Sequence, residues 1–127
     1  LFLLGLLLMP VMHASAATQS SDTMILEWRA EKAWIDKGDL CLRGTFTNKR
    51  KDLSITKINQ FVTEITFTRA DGSKYQYVAM PTKMPLVKIS AGGTRTVTFN
   101  LGHFEDTWKD WVATEDYTFT YITGKRW

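Results

Sequence analysis

The chain has 127 residues, with 16 Lys and Arg against 13 Asp and Glu, 44% hydrophobic residues and one Cys. That length holds one domain of ordinary size, and the hydrophobic fraction with a net charge of only +3 excludes a disordered chain. A single Cys excludes an internal disulfide framework and any CxxC metal or redox site.

Residues 1–12 read LFLLGLLLMPVM and carry no charge. A run of about a dozen apolar residues is short of the ~20 that a membrane-crossing helix needs. It fits the apolar region of a secretory leader. Ala14-Ser15-Ala16 supplies the small-residue cleavage pattern, so the expected cut falls after Ala16. The expectation is therefore a leader over 1–16 whose basic start lies upstream, and one mature domain over 17–127. An uncleaved anchor is the alternative. A lipoprotein does not fit, because the sole Cys is Cys41.

The rest of the chain repeats with period two, the signature of half-buried strands. Over 25–35, Leu26, Trp28, Ala30, Lys32 and Trp34 alternate with Glu27, Arg29 and Glu31; this predicts one dry face, interrupted at Lys32. Asp36-Lys37-Gly38-Asp39 predicts a turn. Leu40, Leu42, Gly44 and Phe46 resume the alternation, and Asn48-Lys49-Arg50-Lys51-Asp52 makes a polar loop. Residues 53–68 are rich in Ile, Val, Thr and Phe and predict two strands split near Asn59-Gln60, or one strand with a bulge there. Asp71-Gly72 predicts a hairpin, returning along Tyr75, Tyr77 and Ala79. Pro81 and Pro85 bound an irregular stretch, and Gly92-Gly93 turns the chain into Arg95, Val97, Phe99 and Leu101. Phe104, Trp108, Trp111 and Val112 fall at helical spacing and predict two turns of helix before a last strand over 117–122. Together these predict an all-β, antiparallel β-sandwich of seven or eight strands with one short helix before the last.

Three segments carry a resemblance. Gly44-Thr45-Phe46-Thr47-Asn48, Ile65-Thr66-Phe67 leading to Asp71-Gly72, and Ile89-Ser90-Ala91-Gly92-Gly93-Thr94 before Val97 and Phe99 resemble strand ends and turns of small secreted bacterial immunoglobulin-like domains, of FxLYD, CARDB and BsuPI-like type. The resemblance spans roughly 40–101. It departs from the FxLYD pattern at Ile65-Thr66-Phe67-Thr68-Arg69-Ala70. It implies an immunoglobulin-like fold and transfers no functional residue.

Chemistry-bearing groups are sparse. Past the leader the only His is His103, and no Ser sits in a G-x-S-x-G elbow. Cys41 lies between two leucines, a poor setting for a reactive thiolate. A metal site would have to centre on His103, Glu105, Asp106 and Asp110, and there is no second His, HExxH or calcium-loop pattern to support one. The expectation is no catalytic, cofactor or metal site. Arg43, Lys49, Arg50, Lys51 and Lys57 form a basic group, diluted by Asp36 and Asp52, that suits an anionic envelope polymer better than nucleic acid.

The outstanding feature is aromatic content, 13% with five Trp. Trp28 and Trp34 fit the core face of their strand. Tyr75, Tyr77, Trp108, Trp111 and Trp127 are the candidate contact residues, since Trp and Tyr serve both sugar recognition and protein interfaces. The functional expectation is a secreted or periplasmic, non-catalytic module of the cell envelope that contacts a protein or polysaccharide. The alternative is an inhibitor or accessory subunit of an exported enzyme, acting through the 79–88 loop.

Overall fold

The computed structural model describes residues 16–20 and 23–123. The expected leader up to residue 15 and the candidate Trp127 lie outside the described residues. Seven strands follow in order: β1 (Ala16–Ser20), β2 (Leu26–Asp36), β3 (Asp39–Asn48), β4 (Leu53–Thr68), β5 (Lys74–Ala79), β6 (Thr94–His103) and β7 (Asp110–Thr123). They form two antiparallel sheets, ordered β1-β7-β4-β5 and β2-β3-β6.

No helix occurs among the described residues. The helix expected over 104–112 is replaced by an irregular 104–109 segment and the start of β7. Phe104 and Trp108 do share one apolar cluster, as a helical stripe would, but the chain reaches it by a loop; Trp111 then begins a period-two series. The four-plus-three division matches a constant-type immunoglobulin domain, whose sheets run ABED and CFG. The strand order does not. Here β7 lies beside β1, and β2–β3 is a hairpin within one sheet.

Local chemistry explains the joints. Lys37 and Gly38 take φ of 52° and 85°, closing the two-residue β2–β3 hairpin between Asp36 and Asp39. Two successive positive φ values match the right-handed strand twist, and Gly38 adopts one without strain. The β4–β5 connection uses 69–73, where Asp71 Oδ1 accepts from Ser73 N at 2.9 Å. β4 is one long strand whose register shifts between Ile55 and Lys57 and again between Ile58 and Gln60.

The core lies between the sheets. Leu26, Trp28, Leu40, Leu42, Phe46 and Phe99 from one sheet meet Ile58, Phe61, Ile65, Phe67 and Phe119 from the other. At its centre Trp28 and Phe46 are 4.6 Å apart, and Phe61 and Phe99 stack at 4.3 Å. Gly44 makes room for the Trp28 ring: a Cβ there would sit 2.4 Å from Cζ2. Tyr117 Oη donates to the Leu26 carbonyl at 2.7 Å, a buried bond that ties β7 to β2. Buried Asn48 donates to the carbonyls of Leu53 and Ser90, at 3.0 and 3.1 Å, and accepts from Arg50 N. The Gly44-to-Asn48 pattern thus has a structural task at each end.

β2 changes sides midway. Glu31 is an extra residue between the pairs Ala30–Gly44 and Lys32–Arg43. A one-residue bulge reverses which side chains face inward. Trp28 is buried, but beyond the bulge Ala33 packs toward the core. Trp34, expected in the core, lies instead on the outer side with Lys32, Cys41 and Arg43.

Candidate functional site

Four of the expected contact residues gather on one end of the inner faces. Alternation along β5 turns Tyr75 and Tyr77 inward, and the register sets Tyr75, Phe67 and Trp111 side by side across β5, β4 and β7. Phe67 contacts Tyr75 at 5.2 Å, Phe104 at 5.2 Å and Trp108 at 4.7 Å between ring centroids. Tyr77 meets Phe104 edge-on at 4.8 Å. Interplanar angles run from 26° to 61°, so the rings interlock and close the end of the sandwich rather than lie in a flat row. Tyr75, Tyr77, Trp108 and Trp111 are each half-buried against the core.

Polar groups fix this cluster. Tyr75 Oη donates to the Thr107 carbonyl at 3.1 Å, and burial raises its phenol pKa. The Arg69 guanidinium lies 4.0 Å from the Tyr75 ring and bridges Asp106 at 2.8 Å. Hydrogen bonding to Arg69 holds the Asp106 carboxyl below its ordinary range, and Asp106 raises the arginine in turn. This pair staples the irregular 104–109 segment over the aromatic end.

Beside the cluster, the β5 edge and the segment after it expose apolar side chains. Val78 is 62% exposed, Met80 52% and Leu86 69%. Residues 80–93 run from one sheet to the other and are pinned at several points. Thr82 N donates to the Asn100 carbonyl at 2.9 Å, and Ile89 exchanges two backbone bonds with Ile55 at 2.8 and 2.9 Å. Val87 and Ile89 are buried in the core. The stretch between the pins therefore presents Leu86 outward from a fixed backbone.

The remaining candidates separate. His103 Nε2 meets Glu105 Oε2 at 2.6 Å, and this carboxylate raises the imidazole pKa. Asp106 is engaged by Arg69 instead. Among the described residues no group of three or more His, Cys, Asp or Glu gathers as metal ligands would. Cys41 is buried; desolvation first, then Asp36 and Asp39, push its thiol pKa upward. A raised pKa lowers the thiolate fraction on which nucleophilic attack depends. The basic group also disperses: Lys49 donates to the Thr23 carbonyl and lies 4.0 Å from Glu27, Arg50 pairs with Asp52, and Arg43 stands on the outer face of β3.

Two groups were hidden from sequence reasoning. One is Trp34 with Lys32; the adjacent charges Glu31 and Lys32 in mid-strand were the signal of a bulge. The other is Glu115, which the register puts on the inner side of β7 opposite buried Thr63. Burial, then the neighbouring Asp116 charge, push its carboxyl up to about 7. The Trp28 indole N–H is close enough to favour the anion. It closes no hydrogen bond of ordinary geometry, and the burial outweighs it.

No protein-family model and no curated protein matches the chain. Among solved structures it is similar to the X-ray structure of a Northeast Structural Genomics Consortium target, at 8% identity and a TM-score of 0.30, over 84% of this chain and 74% of that one. A likeness of that size carries no argument about fold or function.

Proposed function

We propose that this protein is an exported, non-catalytic interaction module of the cell envelope, and that it contacts a protein partner through β5 and the 80–88 segment. The observation that carries the reading is that β5 and the segment after it carry Val78, Met80 and Leu86, three large apolar side chains more than half exposed. Apolar and aromatic side chains on a fixed backbone are the usual anchors of protein interfaces. Among the described residues β5 is also the last strand of its sheet, so its outer edge can pair with an extended partner segment. The apolar 1–12 run and Ala14-Ser15-Ala16 support export.

Capture from an envelope extract tests this reading. A partner retained by the natural protein and lost on Leu86→Glu or Val78→Glu supports it, with circular dichroism checking that the variants stay folded. Undiminished capture by both variants rejects the surface. The inhibitor reading uses the same segment, because Leu86 projects between pinned ends. It predicts in addition that the captured partner is an enzyme whose activity falls on binding.

A further inference from the structure

The geometry points to a second site, on the outer face of β2-β3-β6, that binds an acidic polysaccharide through Trp34, Lys32 and Arg43. It is separate from the β5 surface and stands whether or not that surface binds a protein.

The argument starts from a cost. Lys32 and Arg43 are direct cross-strand partners. Like charges at such positions destabilise a sheet. Neither cation has an ion pair among the described residues. The nearest acid in sequence, Glu31, makes no ion pair with either; its carboxylate accepts from Thr45 Oγ1 at 2.9 Å one row away. What both cations do share is the Trp34 ring, with Lys32 Nζ 5.0 Å and the Arg43 guanidinium 5.9 Å from its centroid. The ring's negative face offsets part of the repulsion and holds the two charges together. A cation pair without an ion-pair partner, held over a half-buried aromatic, is poor structural design and a good receptor for an anionic group.

The surroundings narrow the ligand. The register lays out rows across the sheet: Lys32, Arg43 and Thr98, then Trp34, Cys41 and Asn100. Thr45, Thr96 and exposed Thr98 surround the cations with hydroxyls. Beyond Trp34 lie the carboxylates of Asp36 and Asp39, the second accepting from Asn100 Nδ2 at 3.0 Å. Along the face, the Glu31 carboxylate lies one row before the two cations, the indole follows them, and the Asp36 and Asp39 carboxylates stand at the far end. A sugar ring bearing a carboxylate matches the cations, the indole and the far carboxylates. Its apolar face stacks on Trp34, its acid reaches Lys32 and Arg43, and its hydroxyls donate toward Asp36 and Asp39. A small anion would use only the cations and leave the indole idle. The Asp36 and Asp39 charges disfavour a broad anionic surface such as a membrane.

Calorimetric titration with polygalacturonate and alginate oligomers tests the assignment, with methyl-esterified galacturonan as the uncharged control. The expected result is binding that weakens with salt and falls about tenfold or more on esterification, on Trp34→Ala and on Lys32→Gln with Arg43→Gln. Lys32→Gln is also expected to leave the urea midpoint of the free protein unchanged or higher, since it relieves repulsion; a merely structural lysine would lower it. Absence of binding to both acidic polymers overturns the site. So does binding that the variants leave intact, or equal binding of the esterified polymer. Retention by anionic phospholipid vesicles without polysaccharide binding would also overturn it and make this face a membrane contact.

Discussion

The two flanks of the sandwich are closed by different chemistry. Between β5 and β6, residues 80–93 bridge the sheets and bury Val87 and Ile89, so that flank is sealed with apolar mass. On the other flank β1 covers β7 only at residues 118–122, and no described strand lies on the side of residues 110–117 away from β4. There Glu115 turns inward beside Trp28, and Asp110 and Asp116 stand exposed along the edge. An inward carboxylate at a free strand edge discourages pairing with another chain. One flank thus favours stability, whereas the other gives up some stability to keep a sheet edge soluble.

This contrast can be broken in order of size. Ile89→Ala should do most damage, because the side chain is 1% exposed and anchors the sealing segment to Ile55; a loss of about 3 kcal/mol is expected in urea unfolding. Gly44→Ala acts in the middle strand of the other sheet, beneath the Trp28 ring that Glu115 adjoins. Its Cβ would lie 2.4 Å from Trp28 Cζ2 and 2.5 Å from the Arg29 carbonyl oxygen, and the backbone neighbour cannot swing aside. A loss of about 2 kcal/mol is expected, with a changed near-ultraviolet Trp spectrum.

Glu115→Gln should change a slope rather than a level. The folded-state pKa of about 7 lies above the ordinary 4.5, so the folded protein binds this proton more tightly than the unfolded chain. Its contribution is most favourable below about pH 4.5, declines as pH rises toward about 7, and is flat above. The urea midpoint of the natural protein should carry that decline, and the Gln variant should lose it. A variant with the same slope would remove Glu115 as the titrating guard. The smallest expected effect is that of a thiol reductant, which should leave the midpoint where it was, because Cys41 is buried and free.

Sequence alone reached the sheets further than it reached the surfaces. Alternation identified the core residues Leu26, Trp28, Leu40, Leu42 and Phe46, because period two survives wherever pairing is regular. It failed at Trp34, where one extra residue reversed the sides, and at 104–112, where a loop followed by a strand imitated helical spacing. The break expected near Asn59-Gln60 corresponds to a register shift within a single strand. Alternation also paired Tyr75 with Tyr77 without revealing that their side of β5 faces inward. That depends on which strands pair across the sandwich, a matter of long-range register. Lys32 beside Arg43 was invisible for the same reason: their juxtaposition exists only once β2 and β3 are zipped together.

The Glu31 bulge has an evolutionary corollary. Upstream of it an indole fills the interior; six positions later another indole is offered to the outside. Deleting that single codon would straighten the strand without moving an address: Lys32 would still stand opposite Arg43 and Trp34 opposite Cys41. The extra residue therefore governs the local bend and twist with which the exterior aromatic is displayed, while pairing with β3 keeps it on that face.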